Sequence, residues 1–333
     1  MRKFVKGNAD LAQLVEQRIR NAQVVSSSLT ISFKVLTSRS SSGRLFFTKE
    51  FFMSTKFSFE IFPPRKDMPV EVIYKTLDGL TDLNPDFISV TCGAGGSSSN
   101  ASERMIEVAA AIKDKYHKKS VAHIPCINLD KDDVEKILEQ LNLRGIDEIL
   151  ALRGDKVPNV EPKNIFPHAV DLISFIREKT GKQFKIYAAC YPEGHTDSKD
   201  FDADLNFLKE KVAAGVDGLI TQLFFDNNHF YYFMEKIHAL GINLPVEAGI
   251  MPVTNKKQIE RMVNICGASL PVKFRKILDR YGNDSAALQE AGIVYALNQI
   301  VDLLAHNVDG IHLYVMNNVY VARRISDAIK TLL

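Results

Sequence analysis

Polar side chains stand inside short apolar segments at several places in this 333-residue chain. Glu60 lies within FSFEIF, and His123 lies within SVAHIP. Buried polar groups cost free energy unless they are paired or bind a ligand, so this placement suggests chemistry. Apolar neighbours favour the protonated form of a carboxyl group, the form in which Glu60 could act as a general acid. A structural ion pair between Glu60 and Arg65 is the alternative.

Other polar residues follow apolar segments in the same way. In chain order they are Thr91, Arg153 and Asp155, Tyr191, Glu193 and His195, Thr221 and Gln222, and His312 and Tyr314. Each one alone has an ordinary explanation: His123 could be a satisfied core histidine, and Arg153 with Asp155 a loop salt bridge. The glycines at 93, 95 and 96 could admit a ligand close to the backbone or form a flexible loop. Their convergence after successive apolar segments favours an enzyme.

Several other reaction classes lack their motifs. The sequence contains no GxSxG, no HExxH and no GxxxxGK[ST]. No CxxC and no metal-type spacing joins the cysteines, which predicts reduced thiols in a cytoplasmic protein without a metal site. These cysteines are Cys92, Cys126, Cys190 and Cys266. The remaining chemistry is general acid catalysis together with a bound organic cofactor.

Strand and helix patterns alternate from residue 57 onward and must position these side chains. The predicted strands are 57–62, 86–91, 120–125, 147–152, 184–190, 217–223, 244–250 and 309–316. The predicted helices are 69–83, 101–116, 131–143, 166–180, 202–215, 228–241, 255–266, 285–306 and 319–333. Eight strand–helix units predict an α/β fold of the (β/α)8 TIM barrel type, with catalysis at the carboxyl ends of the strands. A doubly wound open sheet is the competitor, but GAGGSSS follows the second strand and lacks the third glycine of a dinucleotide fingerprint.

The first 52 residues differ from the rest. They carry nine Lys and Arg against three Asp and Glu, a local charge of 9 − 3 = +6, and they are rich in serine. A short helix is predicted over 9–24. We expect a basic extension that is disordered or not part of the working enzyme, followed by a catalytic barrel over 53–333. A transit peptide is the alternative.

Composition excludes two classes of partner. The net charge of 42 − 40 = +2 offers no basic field for nucleic acid. No apolar stretch approaches the roughly 18 residues of a membrane span.

Seven motifs resemble methylenetetrahydrofolate reductase, in that family's order and spacing over roughly 57–333. They are FSFEIFPPR, FISVTCGAGGS, AHIPCI, ILALRGD, AACYPEGH, DLNFLKEKVAAGVDGLITQLFFD and GIMPVTN. The resemblance implies a TIM barrel that binds FAD without a covalent link. It also implies reduction of 5,10-methylenetetrahydrofolate to 5-methyltetrahydrofolate by NADH or NADPH, in a ping-pong reaction that supplies methyl groups for methionine synthesis.

The resemblance also implies residue roles. Glu60 matches the general acid that opens the methylene bridge, and Asp155 matches an aspartate beside the flavin. The positions that match FAD contacts are Thr91, His123, Arg153, Asp155, Ala189, Tyr191, His195, Asp204 and Lys211. Arg153 and Lys211 would neutralise the pyrophosphate. The positions that match substrate contacts are Glu60, Gln222, Gln258 and Tyr314.

Three positions depart from the family pattern. Cys92 replaces a tyrosine, Asn318 replaces an arginine expected near the substrate, and Met262 replaces an aromatic residue or leucine. These departures bear on substrate affinity more than on FAD binding. A non-catalytic barrel that binds folate or flavin is therefore the alternative function, and a lyase or aldolase is disfavoured because no strand carries a lysine nucleophile. Because the chain ends after the barrel, we expect a bacterial-type homo-oligomer without feedback by S-adenosylmethionine.

Overall fold

The computed structural model describes residues 55–65, 67–92, 99–155 and 161–333, together with four short strands before residue 53. The chain divides into two units, 1–54 and 55–333. In the first unit, Ser32–Phe33 pairs antiparallel with Phe51–Phe52, and Leu36–Arg39 pairs antiparallel with Leu45–Thr48. The predicted helix over 9–24 lies outside the described residues, and so does the glycine-rich segment 93–98.

Eight parallel strands form a closed barrel in the second unit, each strand pairing with its neighbours in chain order. The strands are β1 (Lys56–Ile61), β2 (Phe87–Val90), β3 (Ser120–Pro125), β4 (Glu148–Leu152), β5 (Lys185–Cys190), β6 (Gly218–Thr221), β7 (Val246–Ile250) and β8 (Gly310–Tyr314). Strand β8 closes the barrel on β1 and brings His312 opposite Ser58 and Tyr314 opposite Glu60. The predicted TIM barrel is confirmed, and the doubly wound sheet is wrong.

Ten α-helices lie among the described residues of this unit. They are α1 (Tyr74–Thr81), α2 (Ser99–Asp114), α3 (Lys131–Leu143), α4 (Ala169–Thr180), α5 (Phe201–Ala213), α6 (Asn227–Ala239), α7 (Lys256–Cys266), α8 (Val272–Tyr281), α9 (Ser285–Ala305) and α10 (Val319–Ile329). A 3-10 turn, Val70–Ile73, precedes α1. None of the described helices has the length and hydrophobicity that a bilayer crossing requires.

Short polar side chains begin most of these helices. The side chains of Asp130, Asp200, Asn255 and Asn318 each accept a hydrogen bond from a backbone N–H three residues later. Such caps satisfy backbone donors that have no partner inside the helix. The loops after β3, β5, β7 and β8 therefore each end at a capped helix.

Alternation along the strands divides the side chains between two environments. On β1, Phe57, Phe59 and Ile61 are buried with the apolar faces of the helices, while Ser58 and Glu60 contact groups from other strands inside the barrel. A smaller cluster fills the barrel interior and comprises Phe87, Val121, Leu150, Tyr187 and Ile220. Because successive strand residues point to opposite faces, the polar positions of the sequence enter the barrel together.

Helix α8 is the one element of this unit that the sequence patterns did not predict. It follows Pro271 and buries Phe274 and Leu278, which lie four residues apart. Phe274 stacks on Phe225 with ring centroids 5.0 Å apart. Together with α7 and α9 it forms a second apolar cluster that also contains Met251 and Ile259.

Candidate active site

Glu60 lies between two imidazole rings inside the barrel. Its Oε2 atom is 3.7 Å from Nε2 of His123 and 3.7 Å from Nε2 of His312. The Glu60 side chain keeps 13% of its surface exposed, whereas His312 is fully buried. The alternative for Glu60, an ion pair with Arg65, is not found among the described residues, whose only salt bridges to Glu60 involve these two rings. Glu60 is therefore positioned by β1, β3 and β8 and still accessible to a ligand.

His123 is a neutral ring at neutral pH. Burial lowers the pKa of His123 to about 4, although Glu60 acts in the opposite direction. Its Nε2 atom is buried and makes no hydrogen bond to any described residue. A buried nitrogen without a partner is costly, so it is suited to a polar ligand group.

Three buried residues that the sequence analysis did not single out, Ser58, Ser89 and Glu247, extend this cluster inside the barrel. Ser58 Oγ lies 2.7 Å from His312 Nδ1 and donates a hydrogen bond of 2.7 Å to Glu247 Oε2. Ser89 Oγ lies 3.4 Å from His312 Nε2. Glu247 sits within an apolar strand just as Glu60 does, so the same signal could have found it.

A second group of predicted residues surrounds Arg153 at the rim. Arg153 Nη1 lies 2.8 Å from Asp197 Oδ2, while its buried Nε has no hydrogen-bond partner among the described residues. His195 Nδ1 accepts a hydrogen bond of 3.0 Å from the backbone of Asp197, and its ring meets Tyr191 edge-on at 4.7 Å. Burial lowers the pKa of His195, and the charge of Arg153 acts in the same direction.

Lys211 and Asp204 form a third group, on α5. Lys211 Nζ donates a hydrogen bond of 2.6 Å to the carbonyl oxygen of Ala189, at the end of β5. Burial lowers the pKa of Lys211 and raises the pKa of Asp204, and their opposite charges resist both shifts. Ser198 Oγ donates to Asp204 Oδ1 at 3.0 Å. This side of the rim thus holds a second cationic group near Tyr191, whose ring centroid is 5.6 Å from Lys211 Nζ.

The opposite side of the mouth is formed by β6, β7 and β8. Tyr314 donates a hydrogen bond of 2.6 Å to the carbonyl oxygen of Thr221 and contacts His312 edge-on at 5.4 Å. Gly249 admits this tyrosine, because a Cβ there would lie 2.7 Å from the Tyr314 ring. The Gln222 side chain accepts a hydrogen bond from the Leu223 backbone, which leaves its amide NH2 group as a donor.

Two predicted residues, Asp155 and Gln258, stand apart from Glu60, whereas Thr91 lies beside the end of β1. No hydrogen bond or ion pair among the described residues joins Asp155 or Gln258 to Glu60. Asp155 is exposed and contributes, after burial, to raising the pKa of Cys266 to about 11. Gln258 lines a cleft of about 560 Å³ together with Ser285, Gln289 and Tyr320. Thr91 donates its backbone N–H to the carbonyl oxygen of Ile61, 3.1 Å away, beside the end of β1.

The three departures from the family pattern have local structural roles. Cys92 is buried and donates from Sγ to the carbonyl oxygen of His123, at 3.0 Å. Asn318 caps α10 through Val321. Met262 is partly buried against the apolar cluster that contains Met251.

Comparison with known proteins identifies the family of the chain. The family model of methylenetetrahydrofolate reductase matches residues 48–330. The chain belongs to the methylenetetrahydrofolate reductase family. A relative named methylenetetrahydrofolate reductase (NADH) 1, from Arabidopsis thaliana, is 34% identical over 277 residues, which are 79% of this chain and 46% of the relative. The chain therefore spans about half the length of that plant relative.

A bacterial relative and a solved structure add to this comparison. The 5,10-methylenetetrahydrofolate reductase of Escherichia coli is 32% identical over 260 residues, which cover 78% of this chain and 86% of the bacterial protein. A Clostridium thermocellum protein, described as binding two copies of 5-methyl-5,6,7,8-tetrahydrofolic acid, superposes with a TM-score of 0.59 at 14% identity. That superposition covers 84% of this chain and 96% of the other, and it concerns the fold alone.

Proposed function

We propose that this protein reduces 5,10-methylenetetrahydrofolate to 5-methyltetrahydrofolate with electrons from NADH or NADPH, by way of FAD. The observation that carries the proposal is the placement of Glu60, partly exposed, between two imidazole rings at the mouth of a barrel whose chain belongs to this family. The product would supply methyl groups for methionine synthesis.

The described residues fit FAD. Two buried polar atoms have no hydrogen-bond partner among the described residues: His123 Nε2, on β3, and Arg153 Nε, directly after β4. Arg153 and Lys211 supply positive charge for a pyrophosphate, and Tyr191 and His195 supply ring surfaces. When bound, FAD would take a hydride from NAD(P)H and give it to the folate in turn.

Glu60 supplies the proton in this proposal. A protonated Glu60 donates to the bridging nitrogen of the folate that becomes the leaving group, and the methylene bridge opens to an iminium ion. His123 stays neutral beside it, because its pKa of about 4 keeps a second positive charge out of the site. Asp155 carries a negative charge at the rim that would favour the cationic folate.

Gln222 and Tyr314 orient the substrate in this account. The free amide donor of Gln222 suits a ring nitrogen or carbonyl of the pterin. The Tyr314 hydroxyl is held by Thr221, so its ring forms a fixed wall of the mouth. Gln258, in its separate cleft, has the weaker claim to a substrate contact.

Separate assays of the two half-reactions test the proposal. The purified protein is mixed anaerobically with NADH, and the folate is added afterwards. Reduction of the bound flavin by NADH and its reoxidation by methylenetetrahydrofolate are expected. A flavin that NADH reduces but the folate does not reoxidise would mean that the acceptor is another molecule.

A further inference from the structure

A continuous line of side chains runs through the barrel interior from Glu60 to a second carboxyl group. Glu60 Oε2 is 3.7 Å from His312 Nε2, His312 Nδ1 is 2.7 Å from Ser58 Oγ, and Ser58 Oγ is 2.7 Å from Glu247 Oε2. Strands β1, β7 and β8 lie side by side and supply all four residues. Two contacts have hydrogen-bond length, and the third closes if the partly exposed Glu60 side chain shifts by a fraction of an ångström.

Glu247 is the least expected member of this line. Only 2% of its surface is exposed, and its Oε1 atom has no hydrogen-bond partner among the described residues. Gly310, its register partner on β8, makes room for it, because a Cβ at that position would lie 2.7 Å from Glu247 Cγ. The site therefore accommodates a carboxyl group but leaves one of its oxygens without compensation.

Burial and nearby charges act on Glu247 in opposite directions. Burial is the larger effect and raises the pKa of Glu247, while His312 and the hydrogen bond from Ser58 oppose it. Lys56 on β1 and Lys185 on β5 face the group and oppose it more weakly. Glu148, on β4, is engaged with Lys185 and Tyr187 and makes no contact with Ser58 or His312.

We propose that Glu247 stores a proton and passes it to Glu60 through Ser58 and His312, so that Glu60 is recharged while substrate covers the barrel mouth. Glu247 does not touch the substrate in this account. It acts through Glu60, whose proton it replaces, and is therefore a positioning residue and not a catalytic one. The inference rests on the proposed function in assigning the acid role to Glu60, but the protonation of Glu247 itself does not depend on it.

The transfer balances in protons and charge. Protonated Glu247 gives its proton to Ser58 Oγ, the Ser58 hydroxyl proton passes to His312 Nδ1, and the His312 Nε2 proton passes to the Glu60 carboxylate. The histidine exchanges one neutral tautomer for the other, and the serine ends with its hydroxyl turned toward Glu247. One proton has moved from Glu247 to Glu60, and one negative charge has moved the other way. After product release, solvent returns a proton to Glu247 by the same route, entering at the partly exposed Glu60.

The Glu247→Gln variant would interrupt this supply of protons, because glutamine has nearly the same shape as glutamate but no carboxyl proton. Its amide still donates to Ser58, so Ser58 donates to His312 Nδ1 and the Nε2 proton stays directed at Glu60. This arrangement favours the Glu60 carboxylate and leaves no proton to replace the one it has lost. We expect the folate reaction to fall about tenfold above neutral pH and its apparent pKa to fall by about one unit, since one unit equals a tenfold change.

Infrared difference spectroscopy tests the proton on Glu247 without substrate. The wild-type protein near neutral pH is compared with Glu247→Gln and with Glu148→Gln, a matched change at another barrel carboxyl. A protonated-carboxyl C=O band that disappears in Glu247→Gln, and persists in Glu148→Gln, is the expected result. Absence of that band from the wild-type difference spectrum would overturn the inference and leave the proposed function untouched.

The pH profile of each half-reaction tests the transfer. Only the folate half-reaction of Glu247→Gln should shift, while NADH oxidation and the profile of Glu148→Gln stay within about twofold of wild type. Adding Ser58→Ala to Glu247→Gln should cause no further loss, because both changes cut the same chain. Superimposable profiles of Glu247→Gln and wild type, or additive losses in the double variant, would refute the transfer. If the wild-type protein reduced no folate, the proposed function would fail. The infrared band would still show whether Glu247 is protonated.

Discussion

At the scale of single residues, position inside the barrel gives the carboxyl groups of Glu60 and Glu148 different roles. Glu60 lies near the carboxyl end of β1 beside two imidazole rings. Glu148, in contrast, begins β4 and contacts the ammonium groups of Lys185 and Lys119. Cationic neighbours stabilise a carboxylate, so Glu148 is a structural ion-pair residue. Glu60 has no such permanent cation among the described residues and remains available for proton transfer.

The Glu60→Gln variant tests the acid role. An amide cannot donate the required proton, so folate reduction should fall by roughly 10²–10⁴-fold. NAD(P)H oxidation with another electron acceptor should persist, because that step needs no proton from Glu60. Stopped-flow absorbance of the flavin separates the two steps, and Glu148→Gln provides the control. Normal folate turnover in Glu60→Gln would remove this residue from the mechanism.

The stability of the protein should depend on pH through His123. Its pKa is about 4 when folded and near 6.5 when unfolded. The unfolded chain therefore binds a proton first as the pH falls, and this contribution to the free energy of unfolding is present above about pH 6.5 and lost toward pH 4. Between pH 6.5 and pH 5 the loss amounts to about 2 kcal/mol for one such group.

Urea denaturation at several pH values measures this contribution. The His123→Gln variant should lose less stability than wild type over the same interval, since it has no ring to protonate. Parallel pH dependences of the two proteins would show that His123 is not the buried neutral histidine described above.

Residue patterns in the sequence predicted some of this site and missed the rest for a physical reason. The apolar surroundings of Glu60 and His123 marked them as unusual from local sequence alone. Glu247 also lies within an apolar segment, but no recognised motif drew attention to it. Its partner Ser58 lies 189 residues away in the chain. Only the pairing of neighbouring strands reveals that these residues and His312 share one line of hydrogen bonds.

At the scale of elements, helix α9 is held against the exit of β7 by a glycine. A Cβ at Gly292 would overlap the carbonyl oxygen of Val253, so only glycine permits the observed approach. In an open helix, alanine would be favoured over glycine by about 1 kcal/mol. At Gly292 the clash with the Val253 carbonyl oxygen reverses this preference, so alanine destabilises the folded protein.

The Gly292→Ala variant should lose about 2–4 kcal/mol of unfolding free energy, because backbone or helix must shift to make room. Asn298→Ala, at an exposed position of the same helix, is the matched control and should change stability by less than about 0.5 kcal/mol. Chemical denaturation of both variants measures the difference. Equal stabilities would mean that α9 does not pack this closely.

A second element, the turn after β8, ties the closing strand to the first. The Asn317 side chain accepts from the Phe62 backbone and donates to the Phe62 carbonyl oxygen, both at 2.9 Å. Asn317 itself has a φ of +57°, a conformation that asparagine tolerates better than most residues. Asn318, which departs from the family pattern, caps α10, while its neighbour Asn317 holds the end of β1 beside Glu60.

At the scale of the whole molecule, regular alternation predicted the architecture better than it predicted boundaries. Eight apolar strands separated by amphipathic helices specify a barrel through periodicity alone, and each predicted strand is found. Helix α8 was missed although Phe274, Leu278 and Tyr281 recur three or four residues apart in its sequence, which is a helical spacing. It lies between α7 and α9 with no strand on either side, so the alternation of strands and helices gave no reason to expect it.

The division of the chain predicts that the barrel folds alone. All eight strands belong to the unit 55–333, and a chain that starts at Met53 retains them all. We expect this shortened chain to unfold cooperatively and to bind FAD as the full chain does. Circular dichroism melting and flavin content measure both properties. A shortened chain that stays unfolded would show that residues 1–52 contribute to the barrel.

The absorbance spectrum of the purified protein, recorded before and after anaerobic additions, tests the central claim most directly. We predict a flavin spectrum that NADH bleaches and that methylenetetrahydrofolate restores, because both half-reactions would use the same bound FAD. A colourless protein that cannot be reconstituted with FAD would contradict the account and favour a barrel that binds folate without catalysis.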